Sequence, residues 1–184
     1  MIGQQVPDIC LKTRVRDETV DGPNPFRWQD VQTGDLFAKG RHVVFSLPGA
    51  FTPTCSNSQL PGYESLHDQF LEAGVEDIFC ISVNDAFVMY QWGKTQGLKN
   101  VKLLPDGSGN FTRRMGMLIN KDHLGFGFRS WRYAMVIDDG VISQMFVEPG
   151  CNDCGTDEDP YGATAPEPVL EWVQSHPARA RSDA

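Results

Sequence analysis

The feature that most narrows the fold is a series of short apolar runs separated by helical periods. Residues 41–47, 77–83 and 101–104 each have the length and apolar character of a buried strand. Between the first two, Leu60, Tyr63, Leu66 and Phe70 recur at helical spacing, and Gly74 stands where a C-terminal cap belongs. Between the second and third, Asp85 is placed to cap a helix reaching about Gln96, and Gly97 closes it. Strands joined through helices pair in parallel. Residues 133–137 and 141–147 then flank Asp138-Asp139-Gly140, the clearest hairpin signal in the chain. A last helix is expected near 167–174. The sum is an α/β chain with a mixed central β-sheet and helices on both faces.

The remaining segments carry weaker signals. The first forty residues read as irregular and turn-rich, with an early strand near 9–15 and a loop at 21–25. Residues 110–115 suggest a short helix, and 148–166 a polar loop. The chain of 184 residues suits one domain over 1–174, followed by a flexible tail at 175–184. Lys and Arg number 16 against 24 Asp and Glu, a net charge of −8. That field repels phosphate backbones and anionic lipid, so neither nucleic acid nor a membrane surface is an expected partner. No run approaches the roughly 18 apolar residues of a membrane span, and the N-terminus lacks the pattern of a secretory signal. The expected compartment is therefore the cytoplasm. Five cysteines are too few for a disulfide scaffold, and their odd number leaves at least one thiol unpaired within a monomer. No cofactor and no metal is implied, because the histidines are scattered and a second Cys pair is missing.

The chemistry-bearing segment runs from the strand at 41–47 through Pro48-Gly49-Ala50-Phe51-Thr52-Pro53-Thr54-Cys55. Two prolines and a glycine turn the chain sharply before a helix that begins near Cys55. A thiol in a first helical turn meets unpaired backbone N–H groups and the positive end of the helix dipole, which favour the reactive thiolate. Thiolate fraction alone gives little speed, because nucleophilicity falls as the thiol becomes more acidic. Fast chemistry therefore demands donors that stabilise the transition state. Thr52 offers a hydroxyl, and a nearby arginine would offer several donors in a fixed fork. The bland alternative is a small buried cysteine after a strand.

These residues resemble the peroxiredoxin signature Pro-x-x-x-Thr-x-x-Cys, matched by Pro48, Thr52 and Cys55. The longer string Pro-Gly-Ala-Phe-Thr-Pro-Thr-Cys is similar to the atypical type II (type five) subfamily. So are Ser82-Val83-Asn84-Asp85-Ala86-Phe87-Val88-Met89, Pro105-Asp106-Gly107-Ser108-Gly109 and Arg132-Tyr133-Ala134-Met135-Val136-Ile137. The likeness spans roughly residues 2–174. It implies a thioredoxin-like fold, compatible with the element order above. It also implies reduction of hydrogen peroxide or an alkyl hydroperoxide. By that resemblance Cys55 is the peroxidatic nucleophile and Thr52 hydrogen-bonds the thiolate or peroxide. Pro48 shields the thiolate from water, and Arg132 orients the peroxide. Arg129 is the close rival of Arg132. Ala50, Phe87 and Phe126 would lie near a homodimer contact.

Attack on peroxide leaves a sulfenic acid that needs a second thiol. Cys80, inside an apolar strand, reads first as a buried residue, although plant relatives are held to use a cysteine at a similar position. Cys151 and Cys154 form a Cys-x-x-Cys pair, but in an acidic loop whose carboxylates disfavour a thiolate. Some family members place a resolving cysteine in a comparable loop. Cys10, in the early strand, is expected to be buried. The leading reading is an external thiol, glutathione or glutaredoxin acting in trans, with thioredoxin as a further reductant. Two other functions fit parts of the pattern: a redox sensor switched by Cys55 oxidation, and a dithiol oxidoreductase using Cys151 and Cys154.

Overall fold

The computed structural model describes residues 1–156 and 158–178. An antiparallel hairpin, β1 (Cys10–Arg16) and β2 (Phe26–Gln32), comes first, and a single helical turn, α1 (Thr33–Leu36), leads into β3 (Arg41–Ser46). A π-helical turn at Cys55–Gln59 runs into α2 (Leu60–Ser65) and α3 (His67–Glu72). Then follow β4 (Asp77–Ser82), α4 (Ala86–Gln96), β5 (Lys102–Pro105) and α5 (Asn110–Arg114). A small hairpin, β6 (Leu118–Asn120) and β7 (Phe128–Ser130), precedes β8 (Tyr133–Asp138), β9 (Val141–Val147) and α6 (Pro166–Ser175).

The five-stranded sheet has the order β5-β4-β3-β8-β9. β3, β4 and β5 are parallel, while β8 and β9 are antiparallel to their neighbours, so the sheet is mixed as expected. Side-chain alternation divides the core in two. Val43, Phe45 and Cys80 face one cluster with Leu60, Tyr63, Phe70, Trp92 and Val169, which come from the Cys55 helix, α3, α4 and α6. Val44, Phe79 and Ile81 face the other, with Phe37, Phe111, Met115 and Tyr133. The Phe45 and Tyr63 rings stack with centroids 4.0 Å apart, fastening the sheet to the helix that carries Cys55.

Local signals performed as their chemistry dictates. The Asp85 carboxylate accepts from the amides of Phe87 and Val88, capping α4, and Gly97 ends it with φ of 65°. Asp139 and Gly140 both take positive φ, 47° and 82°, as a tight hairpin turn requires.

Several expectations are corrected. β2 went unseen because its residues are mostly exposed and lack alternating apolar character. The helix after Cys55 is broken at Leu66 into α2 and α3. Cys10 is exposed, not buried, because it opens β1 while Leu11, pointing the other way, takes the inward position. α6 includes Ser175, and the His176 carbonyl accepts from Arg41, so the first residues of the expected tail are fastened. Residues 179–184 of that tail lie outside the described residues. At the opposite end, the Gly3 and Val6 amides donate to Ile142 and Gly140, and Ile142 N donates to Gln4 O. This segment runs along the outer side of β9 near its start.

Candidate active site

β3 ends at Ser46 and delivers the chain into the Pro48-Gly49-Ala50 turn. Two bonds hold that turn to the end of β4. Asn84 Oδ1 accepts from Ala50 N at 3.0 Å and from Ser82 Oγ at 2.7 Å. Phe51 is left-handed at φ 64°, a costly state for a bulky residue, so the sharpness of the turn is imposed by its surroundings. The helix then starts at Pro53, the position where proline's missing N–H and fixed φ are harmless. Cys55 follows within the first turn and opens the π-helical segment. Turns of that kind recur at functional sites.

Cys55 Sγ is fully buried, and its polar neighbour is Arg132, which precedes β8. Arg132 Nη1 lies 3.5 Å from Sγ. The same nitrogen donates to Gln59 Oε1, one turn along the Cys55 helix. Nη2 is paired with Asp159, and Nε donates to the Pro160 carbonyl at 3.1 Å. Gln59 Nε2 reaches Thr164 Oγ1 at 3.4 Å, and that hydroxyl donates to Glu148 at 2.8 Å. A chain of hydrogen bonds thus runs from Glu148 through Thr164 and Gln59 to Arg132 and the sulfur. Burial works against the Arg132 charge, and the Cys55 and Asp159 charges outweigh it, so the guanidinium is held above its ordinary range. The Glu148 carboxyl is likewise desolvated, yet the amides of Gly162 and Thr164 and the Thr164 hydroxyl hold it below the usual carboxylate range.

The two arginines differ in what they touch. Arg129 Nη1 donates to Val83 O and its Nε to Phe126 O, both at 3.0 Å, so it braces the loops beside Gly49. Arg132 alone of the two is hydrogen-bonded to the sulfur. Pro48 is buried and lines a crevice with Trp131, Arg132, Asp159 and Pro160 that is too tight to admit a water molecule. Of the two bonds expected of Thr52, to the thiolate or to a peroxide, the first is not made: its hydroxyl donates to Gly49 O at 2.8 Å.

The other thiols sit apart in character. Cys80, in β4, is fully buried in the same cluster as Cys55. Burial first, and then the neighbouring Cys55 charge, push its thiol well above the ordinary range, with Arg132 opposing. Cys151 and Cys154 are exposed in the irregular stretch after β9, where no helix begins. Cys154 Sγ lies 3.1 Å from Asn152 Oδ1. None of the five cysteines is joined in a disulfide.

Sequence reasoning missed Gln59, Asp159, Pro160, Asn84 and Glu148. Gln59 was within reach, since a polar residue four positions after Cys55 shares its helix face. The others meet the site through loops, for which no spacing rule exists.

Comparison with known proteins agrees with this geometry. Residues 3–163 match the Redoxin family model. A peroxiredoxin of Rhizobium etli is 58% identical over 173 residues, covering 94% of this chain and 96% of that protein. The hybrid peroxiredoxin hyPrx5 of Haemophilus influenzae is 44% identical over 94% of this chain and 66% of its own length. The crystal structure of reduced Prx3 from Vibrio vulnificus in complex with H2O2 superposes with a TM-score of 0.80 at 35% identity, covering 95% and 96% of the two chains. A buried thiol in a first helical turn, an arginine bonded to it, and the near end-to-end match to the Rhizobium and Vibrio proteins lead to one assignment: the chain belongs to the peroxiredoxins, thiol-dependent peroxidases of thioredoxin-like fold.

Proposed function

We propose that Cys55 is the peroxidatic nucleophile, that Arg132, Thr52 and Pro48 complete its site, and that the chain falls in the atypical type II (type five) group. The observation that carries this reading is the 3.5 Å contact between Arg132 Nη1 and a fully buried Cys55 Sγ. The thiolate attacks the nearer peroxide oxygen. An S–O bond forms, the O–O bond breaks, and the farther oxygen leaves with the electron pair and takes a proton to become water or an alcohol. Cys55 is oxidised to the sulfenic acid as the peroxide is reduced. Charge moves onto the leaving oxygen, where a guanidinium donor lowers the barrier most. With its O–H donated in a hydrogen bond to the Gly49 carbonyl, the Thr52 hydroxyl has lone pairs available to accept from the peroxide O–H. Pro48, without an N–H, keeps a competing donor away from the sulfur.

Resolution is assigned to an external thiol, glutathione or glutaredoxin, with thioredoxin as the alternative reductant. It condenses with the sulfenic acid, releasing water and leaving a mixed disulfide that a second thiol reduces. The suppressed ionisation of Cys80 supports this reading. A homodimer contact near Ala50, Phe87 and Phe126, where the rings of Phe51, Phe87 and Phe128 are exposed, one domain over 1–174, and a cytoplasmic location complete the proposal. Peroxide consumption with a thiol reductant should vanish in Cys55→Ser and persist in Cys151→Ser/Cys154→Ser. Loss only in the double variant would instead indicate a dithiol oxidoreductase. Mass spectrometry after one equivalent of peroxide should find Cys55 trapped by dimedone. A Cys55–Cys80 or Cys55–Cys154 peptide would name an internal resolver.

A further inference from the structure

Three consecutive residues grip one guanidinium. Asp159 pairs with Nη2, the Pro160 carbonyl accepts from Nε, and the Tyr161 ring lies with its centroid 5.6 Å from Arg132 Cζ. Edge, end and face of the fork are each taken by a different group. Asp159 adopts φ of 51°, in the left-handed region that Asp tolerates better than most side chains. Arg132 has five N–H hydrogens. With Sγ, Gln59, Asp159 and Pro160 served, one hydrogen on Nη2 has no partner among the described residues.

An anion beside Arg132 is at first sight a handicap. It draws on the same positive charge that should serve the thiolate and the leaving oxygen. A compensating gain must lie in geometry, because a donor helps only if aimed where charge develops. Gln59 alone fixes one nitrogen and leaves the plane free to tilt.

We propose that residues 159–161 are a positioning strap for Arg132, holding its plane so that Nη1 stays on Sγ and the free Nη2 hydrogen is offered to the leaving peroxide oxygen. The inference rests on the peroxidase reading of Cys55. It makes Asp159 and Tyr161 positioning residues, acting through Arg132.

The test compares two reactions of one sulfur. Oxidation by hydrogen peroxide needs the aimed guanidinium, whereas alkylation by iodoacetamide needs only the thiolate. The first is followed by stopped-flow tryptophan fluorescence, to which Trp92 contributes a report on the Cys55 helix because its indole N–H donates to Ser56 Oγ. The second is followed by mass spectrometry of the Cys55 peptide. Asp159→Gly keeps the left-handed backbone and removes the side chain. It should slow oxidation about tenfold to a hundredfold while alkylation barely changes. Asp159→Asn, which restores an acceptor without the charge, should recover most of the loss. Tyr161→Leu removes only the ring from the guanidinium face and is read the same way, deciding the matter should Asp159→Gly not fold. Oxidation unchanged in the variants, or oxidation and alkylation falling by one factor, overturns the strap. An Asn variant no better than Gly does so as well. Wild-type protein inert to peroxide would instead remove the reading on which the strap rests.

Discussion

A lysine at position 132 would keep the charge of the arginine and lose its fork. Arg132 uses Nε, Nη1 and Nη2 at once, and a single ammonium cannot reach Sγ, Gln59, Asp159 and the Pro160 carbonyl together. Arg132→Lys should therefore lower the second-order rate of Cys55 oxidation about a hundredfold, measured under single turnover, with the fold intact by circular dichroism. Glu148 makes a separate prediction. Its carboxyl is held below the range of the unfolded chain, so its contribution to stability is present above about pH 4.3 and fades as pH falls through the lower folded value. Thermal melts of wild type and Glu148→Gln should differ at pH 7 and converge toward about pH 3. An equal gap at both pH values would contradict that role. At this scale Pro48, Thr52 and Cys55 were legible because one turn compresses them into eight residues. Arg132 needed the family motif to separate it from Arg129. Asp159 was invisible, since it joins the site from a loop.

The elements were legible wherever a buried face forced a period on the sequence. The centres of β3 (43–45) and β4 (78–81) are unbroken apolar runs because both faces of the sheet are covered, and α4 announced itself by the Asp85 cap and by Gly97. The pairs β1–β2 and β6–β7 were largely lost. β2 is mostly exposed, and β6 and β7 have three residues each, so neither a period nor a length marks them. Asp85→Ala removes the acceptor of two amides and should cost about 1 kcal/mol in urea denaturation. Phe45→Ala deletes the ring stacked on Tyr63 and should cost about 3–5 kcal/mol, with Cys55 becoming more accessible to alkylation as its helix loosens.

Over the whole molecule, burial is uneven in a way that bears on assembly. Phe51, Phe87 and Phe128 are about half exposed, at 53%, 51% and 58%. They belong to segments drawn together at the Val83-Asn84 turn, through Ala50, the start of α4 and Arg129. Rings exposed in this number beside an active site suit an interface. Sedimentation velocity should show a dimer for wild type and a monomer for Phe51→Asp, and a monomer for both would remove the homodimer from the proposal. A last consequence follows from the strand β9. Its outer margin is covered near its start by Gly3–Val6, through bonds to Gly140 and Ile142. A purification handle or truncation that peels this ribbon away would bare unsatisfied backbone amides along a sheet margin, the template on which chains stack into aggregates. The opening residues of this protein thus act as a sheath, and light scattering on storage would register its loss before any assay of turnover.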